Sequence, residues 1–387
     1  MIFRRQSYSY SRYRRKKKVN RTFEVICLIA CVLLICCAYS GVLDPRSFLP
    51  APFLTLAFMP LLVLVLALLL ASVIWRRWWA IPVILVSLIA SLPVIKMFSP
   101  MNTSENALPV PADTTLMLKV MTYNVLAFNY NEPTLKDQPS QSMRLILDAN
   151  PDVVVLQEAT ASGVEWKEIP SLRPYLDEIN AKYPFIYHSN EGLSMMSKYP
   201  FTTIPLCAPQ HARSPLGYNR DMSSYLARAY DLQLPRGKQL RIVDFRFQSY
   251  HLSFGKGMNV RISPESKPSP LERMRRSFAL RSDNAAAVRK AIDNSPANVI
   301  VCGDMNDVPS SHVYRVLRGH DLHDAWSDAG RGYAYTYNRH GLRYRIDQVF
   351  YRGDIRALHA DRLVGGSSDH YPVMVTFDID NTIKKRK

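Results

Sequence analysis

Three apolar stretches close to the N-terminus, Phe23 to Leu43, Pro52 to Trp75 and Trp78 to Phe98, limit what this chain can become more than any other feature. Each is near the ~20 residues with which an α-helix crosses a bilayer core. Their ionisable residues, Glu24 and Lys96, stand at the ends, so the stretches read as an anchor and not as a transport path. The first is too long for the apolar part of a signal peptide and ends without a small-residue cleavage pattern. Two more spans follow it, so it reads as a retained span. Nine basic residues, from Arg4 to Arg21, precede the first acid, Glu24, and the short loop WRRWW between the second and third stretches is positive as well. Basic flanks stay in the cytoplasm, and the two signals agree. The expectation is a multi-pass cell (inner) membrane protein with a cytoplasmic N-terminus. An odd number of crossings then puts everything after Phe98 on the periplasmic or extracellular side.

The formal charge of +17 is a property of these flanks. Beside the nine residues of the head, Lys384, Lys385, Arg386 and Lys387 contribute four and Arg76 with Arg77 two, which leaves the remainder close to neutral. Charge therefore does not argue for a broad nucleic-acid-binding face. Four of the six cysteines, Cys27, Cys31, Cys36 and Cys37, lie in the first apolar stretch and behave as small hydrophobes. Cys207 and Cys302 have neither zinc-site spacing nor that of a disulfide framework, so the soluble part must stand on its own core.

The organisation that follows is a basic head, 1–22; an anchor, 23–98; a linker, 99–116, broken by Pro100, Pro109 and Pro111; a soluble domain, 117–379; and a basic tail, 380–387. In the domain, strand-like runs alternate with helical ones. LKVMTYNVLAF leads to the helix-like SMRLILDAN and the buried strand DVVVLQEA. GLSMMSKY, SYLARAYDLQL and LRIVDFRFQSYHLS follow, then a helix from about Leu271 to Asp293, then ANVIVCGD, YRIDQVFYR and HYPVMVTFDI. Many strands with few helices predict a layered α/β domain that presents functional residues at strand ends.

Acids, amides and histidines recur at those ends: Asn124, Glu158, His251, Asp304, Asn306, Asp347, Asp369 and His370. One carboxylate after a strand is ordinarily a cap or turn residue; the recurrence is what carries information. The segments TYNV, VVVLQE, SYHLS, GDMND, RIDQVF and SSDHYPV, in this order, resemble the motif series of the endonuclease/exonuclease/phosphatase superfamily over residues 117 to 379. The resemblance implies a four-layer α/β sandwich, two mostly antiparallel sheets with helices outside, and a metal-dependent phosphoesterase. It further implies that Glu158, with Asn124 completing the corner, binds Mg²⁺, with Mn²⁺ as the substitute, and that Asp369 supports the metal or the water. Cleaving a phosphodiester puts charge on oxygen, which a hard cation with oxygen ligands offsets. Asp304 would orient or deprotonate the water, with Gly303 allowing a tight turn there, and Asn306 would hydrogen-bond the phosphate. His370 would meet the phosphate, held by Asp347, and His251 would protonate the leaving group, although Tyr250 precedes it where the superfamily often has Asn or Thr.

Abasic-site endonucleases of the superfamily carry a carboxylate two residues after the first-motif Asn. Leu126 stands there instead, which argues against DNA repair. The substrate class stays open between nucleic acid and a lipid headgroup, the latter favoured by the spans, and a decayed scaffold is the reading from outside enzymology. No protein partner can be inferred. Lys256, Arg261, Lys267, Arg273, Arg275, Arg276 and Arg281 form a basic cluster that either grips polyanions or solvates a helix. Tyr218, Trp326, Tyr333, Tyr335 and Tyr337 either line a cleft or pack in a core.

Overall fold

The computed structural model describes residues 2–102, 116–160, 164–189, 192–207, 227–249, 269–339 and 341–380. It divides into two compact units, 1–95 with 310–312, and 96–309 with 313–387.

The first unit is built on α1 (Ile2–Tyr39), α2 (Pro50–Ile74) and α3 (Ala80–Phe98). Three segments, Arg21–Val42, Pro50–Ile74 and Ala80–Phe98, are long and apolar enough to cross a membrane. Phe23 meets Trp75 edge to face with ring centroids 5.4 Å apart, and Tyr39 Oη donates to the Ala90 carbonyl at 2.6 Å. The hydroxyls of Thr55, Ser72 and Ser87 return to their own helix backbone, at Pro52, Leu68 and Ile84, as suits a medium without water. Val25, Ile26, Ile29, Val63 and Ile89 stay exposed, leaving an apolar surface suited to lipid.

Among the described residues the second unit carries fourteen strands: β1 (Met117–Asn124), β2 (Val153–Gln157), β3 (Phe185–Tyr187), β4 (Ser194–Ser197), β5 (Phe201–Cys207), β6 (Ala227–Gln233), β7 (Gln239–Arg246), β8 (Val299–Asp304), β9 (His323–Asp324), β10 (Tyr337–Arg339), β11 (Leu342–Tyr344), β12 (Asp347–Arg352), β13 (Arg356–Arg362) and β14 (Val373–Asp378). Two sheets of six run in the orders β13-β14-β1-β2-β4-β3 and β5-β6-β7-β8-β12-β9, and β10-β11 is a separate hairpin. Each sheet is antiparallel except for one central parallel pair, β1 with β2 and β7 with β8.

Period-two alternation builds the layers. Val120, Val153, Val155, Ile242, Ile300, Cys302, Val375 and Phe377 fill the space between the sheets. Their neighbours Met121, Tyr123, Val154 and Leu156 point outward, onto Met143, Ile146 and Leu147 of α4 (Gln141–Ala149) and Ile179 of α5 (Leu176–Lys182). On the other sheet Val243, Phe245, Val299 and Val301 meet Ala285, Val288 and Ile292 of α6 (Pro270–Asp293) and Val313 and Leu317 of α7 (His312–Arg318). A short α8 (Ala325–Ala329) is the last helix among the described residues. The result is the expected helix–sheet–sheet–helix sandwich. Local chemistry sets the ends of α4: Ser140 Oγ accepts from Met143 N at 3.2 Å, and Asn150 closes the helix at φ +48°.

The pattern reading misses β3, β5, β9 and β13, and the β10-β11 hairpin. The first four are all edge strands, where alternation is less strictly enforced. It also runs β7 on to Ser253, whereas the strand stops at Arg246, where its partner β8 stops. Gly303 lies inside β8, not in a turn: at φ +151° a Cβ would stand 2.0 Å from the Phe245 carbonyl oxygen, so glycine is what lets the central parallel pair close.

Candidate active site

The two parallel pairs end at the same edge of the sandwich. Asn124 is the last residue of β1, Glu158 follows β2, and Asp304 ends β8. Asp347 begins antiparallel β12 directly opposite Asp304, and His370 precedes antiparallel β14. Asn124 bridges the sheets, its Nδ2 donating to Glu158 Oε1 and to Asp304 Oδ2, each at 3.0 Å. Glu158 holds φ +51° and Asn306 φ +52°, conformations that cost a non-glycine residue roughly 1 kcal/mol or more and that the surrounding bonds must hold.

Around Asp304, Oδ1 accepts from Asn306 N at 2.9 Å and Oδ2 from Asn306 Nδ2 at 2.9 Å. The same Nδ2 also donates to the Phe247 carbonyl at 3.0 Å, so both of its protons are taken and Asn306 aims Asp304. His370 Nδ1 lies 2.9 Å from Asp347 Oδ2, which leaves Nε2 as the nitrogen for other work. Ser368 Oγ donates to the Asn124 carbonyl at 2.7 Å and accepts from His370 N at 3.1 Å, tying the histidine to β1.

Charge is concentrated here away from water. Burial pushes the Asp304 carboxyl up to about 6, Asp347 adding to the rise while the His370 charge opposes it. Burial alone would lower His370, but Asp347 and Asp304 raise it to about 10, so it is an imidazolium at neutral pH. Burial also raises Glu158, and the Arg246 guanidinium and the Asn124 amide overcome this and hold it below the usual range. Asp304, Asp347 and His370 bring potential ligand atoms within 4.8 Å of one another. Asp347 Oδ1 is buried without a hydrogen-bond partner, an oxygen placed for a cation. The two carboxylates of this cluster, with Glu158 joined to Asp304 through Asn124, give an oxygen-rich set that suits Mg²⁺ or Mn²⁺.

The structure thus brings Asn124, Glu158, Asp304, Asn306, Asp347 and His370 together. Asp369 is adjacent, but its Oδ2 is paired with Arg339 Nη1 at 3.2 Å. His251 lies outside the described residues, as do Lys256, Arg261, Lys267 and Tyr218. The basic cluster divides: Arg275 is exposed, Arg276 pairs with Glu272 at 2.9 Å, and Arg281 is fully buried. Arg281 faces Asp307 of GDMND at 3.7 Å and donates to the Gln248 carbonyl, so it supports the site loop from inside and is no surface cation. Trp326 is core, while Tyr335 lies under the guanidiniums of Arg343 and Arg362.

Two contributors escape a reading of strand tips by chemistry alone. Arg246 Nη2 donates to Glu158 Oε1 at 2.6 Å. Gln157, buried behind Glu158, donates to Asp244 Oδ1 at 2.6 Å and to Thr122 Oγ1 at 3.1 Å. Ending β7 where β8 ends would have pointed to Arg246.

A family model described as the Endonuclease/Exonuclease/phosphatase family matches residues 121–370, and one for a domain of unknown function, DUF8431, matches residues 20–98. No curated protein matches the sequence. Among solved structures, D. rerio TDP2 in complex with a single-strand DNA product is similar at 17% identity, 67% of this chain, 98% of that one and TM-score 0.42. The human Nocturnin catalytic domain is similar at 18% identity, 68% and 96% coverage and TM-score 0.42. Sphingomyelinase C from Streptomyces griseocarneus is similar at 18% identity, 68% and 99% coverage and TM-score 0.41.

Proposed function

Because the chain belongs to the endonuclease/exonuclease/phosphatase family over residues 121–370, we propose that it is a membrane-anchored, divalent-metal-dependent phosphoesterase that hydrolyses phosphodiesters by in-line attack of water. The observation that carries this is the cluster at the strand tips, where Asp304 and His370 hold unlike charge states side by side around Asp347. Glu158 in the Asn124 corner, with Asp304 and Asp347 near it, would hold Mg²⁺ or Mn²⁺. Such a cation lowers the pKa of bound water and offsets phosphoryl charge.

Asp304, ionised above about pH 6 and aimed by Asn306, takes the proton of the attacking water. The His370 imidazolium offers Nε2–H to a phosphoryl oxygen and is kept charged by Asp347. His251 is the proton donor to the leaving group in this proposal, and Asp369 supports the cation-binding edge from beside His370. The anchor is a multi-pass arrangement in the inner membrane with the basic head in the cytoplasm and the enzymatic domain on the opposite face. The three apolar helices also support a second reading, a phospholipid or sphingolipid phosphodiesterase, since they would keep the site near headgroups.

The test uses the full chain in detergent with Mg²⁺ or EDTA against DNA, RNA, phospholipid, sphingomyelin and inositol phosphates, beside an Asp304→Ala, His370→Ala variant. Metal-dependent cleavage of one class, abolished in the variant, supports the proposal. A folded protein that cleaves none of them points to a scaffold and overturns it.

A further inference from the structure

The tip of β7 carries a side chain for which the reaction outlined above has no use. Arg246 is the register partner of Asp304 on the central parallel pair. Its Nη2 donates to Glu158 Oε1 at 2.6 Å, the same oxygen that accepts from Asn124 Nδ2 at 3.0 Å. The guanidinium is anchored and yet reachable: the side chain is 37% exposed, while Nε is shut off from solvent without a partner. The carboxylate best placed for a divalent cation therefore already holds a protein cation. Two cations on one carboxylate oxygen repel each other at short range, so the second to arrive must displace the first or bind weakly.

We propose that Arg246 is a resident counter-ion that competes with the divalent cation for Glu158 and, once released, turns its N–H fork to the substrate phosphate. The inference rests on the metal assignment made under the proposed function. Arginine suits both states, because one planar fork matches carboxylate and phosphate equally well, whereas lysine offers a point charge. Arg246 thereby keeps the buried acidic corner compensated before the cation binds. It also makes the two events interdependent, since phosphate stabilises the released arginine and so favours cation binding.

The experiment is Mn²⁺ binding to the full chain in detergent, with no substrate, read from the free Mn²⁺ electron paramagnetic resonance signal. Arg246→Met is expected to bind Mn²⁺ about tenfold more tightly than wild type, the low end of what a contacting charge does to a partly exposed group. Arg246→Lys, which keeps the charge and guards against a folding artefact, stays close to wild type. Glu158→Gln weakens binding in either background. In the presence of Mn²⁺, inorganic phosphate binds more weakly to Arg246→Met than to wild type, and added phosphate tightens Mn²⁺ binding in wild type only. If Mn²⁺ affinity depends on Glu158 while Arg246→Met gains nothing, the inference falls and the metal assignment survives. If wild-type affinity ignores Glu158→Gln, the assignment falls and the inference with it.

Discussion

Asp347→Asn is the sharpest probe of the site, because it removes one charge and almost no volume. In the wild type His370 is 5% exposed with Nδ1 2.9 Å from Asp347 Oδ2. Burial opposes its charge, yet the pKa stands near 10, with Asp347 the foremost cause of the rise. A folded-state pKa above the ordinary value of about 6.5 stabilises the fold fully below about pH 6.5, and that stability is lost as pH rises through about 10. Removing a contacting counter-charge moves a buried group by about 2 pKa units, or roughly 3 kcal/mol at about 1.4 kcal/mol per unit. In the variant, the imidazolium should therefore lose its proton near pH 8, and the alkaline limbs of stability and of kcat/KM should move down together. The assay is kcat/KM for bis(p-nitrophenyl) phosphate with Mg²⁺ from about pH 6 to 11, beside thermal unfolding across the same range. A loss of about twofold at pH 8, where half of the rings have lost their proton, is expected to grow to about fiftyfold at pH 10 and to vanish toward pH 6. An alkaline limb displaced by less than about half a unit would refute the reasoning, since Asp347 would then not hold the charge on His370.

Asn124→Ala removes both bonds that join Glu158 to Asp304 across the sheets, so thermal unfolding should reveal a loss of about 1–3 kcal/mol together with weaker metal binding; unchanged values in both would show the bridge to be idle. Gly303→Ala sets a Cβ 2.0 Å from the Phe245 carbonyl oxygen, and a drop of at least about 3 kcal/mol should follow; a melting temperature near wild type would mean that β7 and β8 can part freely. Burial raises Asp244 well above the carboxylate range, so its contribution to stability is greatest below about pH 3.8 and declines as pH rises through its folded pKa. Asp244→Asn should abolish that decline at a cost under about 1 kcal/mol at neutral pH, and a loss of several would show instead that the side chain is ionised.

The architecture was legible in the sequence where burial enforces alternation. Val120 with Met121, Val153 with Val154, and Ile300 with Val301 each send one side chain between the sheets and the other under a helix, so periodicity alone identifies the central strands. Where burial relaxes, the signal fades. β13, RALHADR, is an edge strand with a bulge between Ala357 and His359, and its charges suit an edge better than they advertise a strand.

The chemistry at the strand tips was legible as residue types, because Asn124, Glu158, Asp304, Asp347 and His370 stand at the ends of apolar runs. What those residues touch was not legible, since it depends on register between segments far apart in the chain. Arg246 reaches Glu158 across 88 positions, and Asn124 reaches Asp304 across 180. Sequence reading followed the alternation of β7 past Arg246 to a histidine, because His251 is the familiar chemical type and an arginine in a strand reads as surface. Only the parallel pairing with β8 shows that the strand ends at Arg246, beside Asp304. The same holds in reverse for Arg281: read from sequence as part of a polyanion grip or of a solvated helix face, it is a buried support for Asp307 once α6 is packed. For a basic residue in this fold, then, register and burial decide between ligand, brace and surface before residue type does, and Arg246 is where that order of inference changes the chemistry expected of the site.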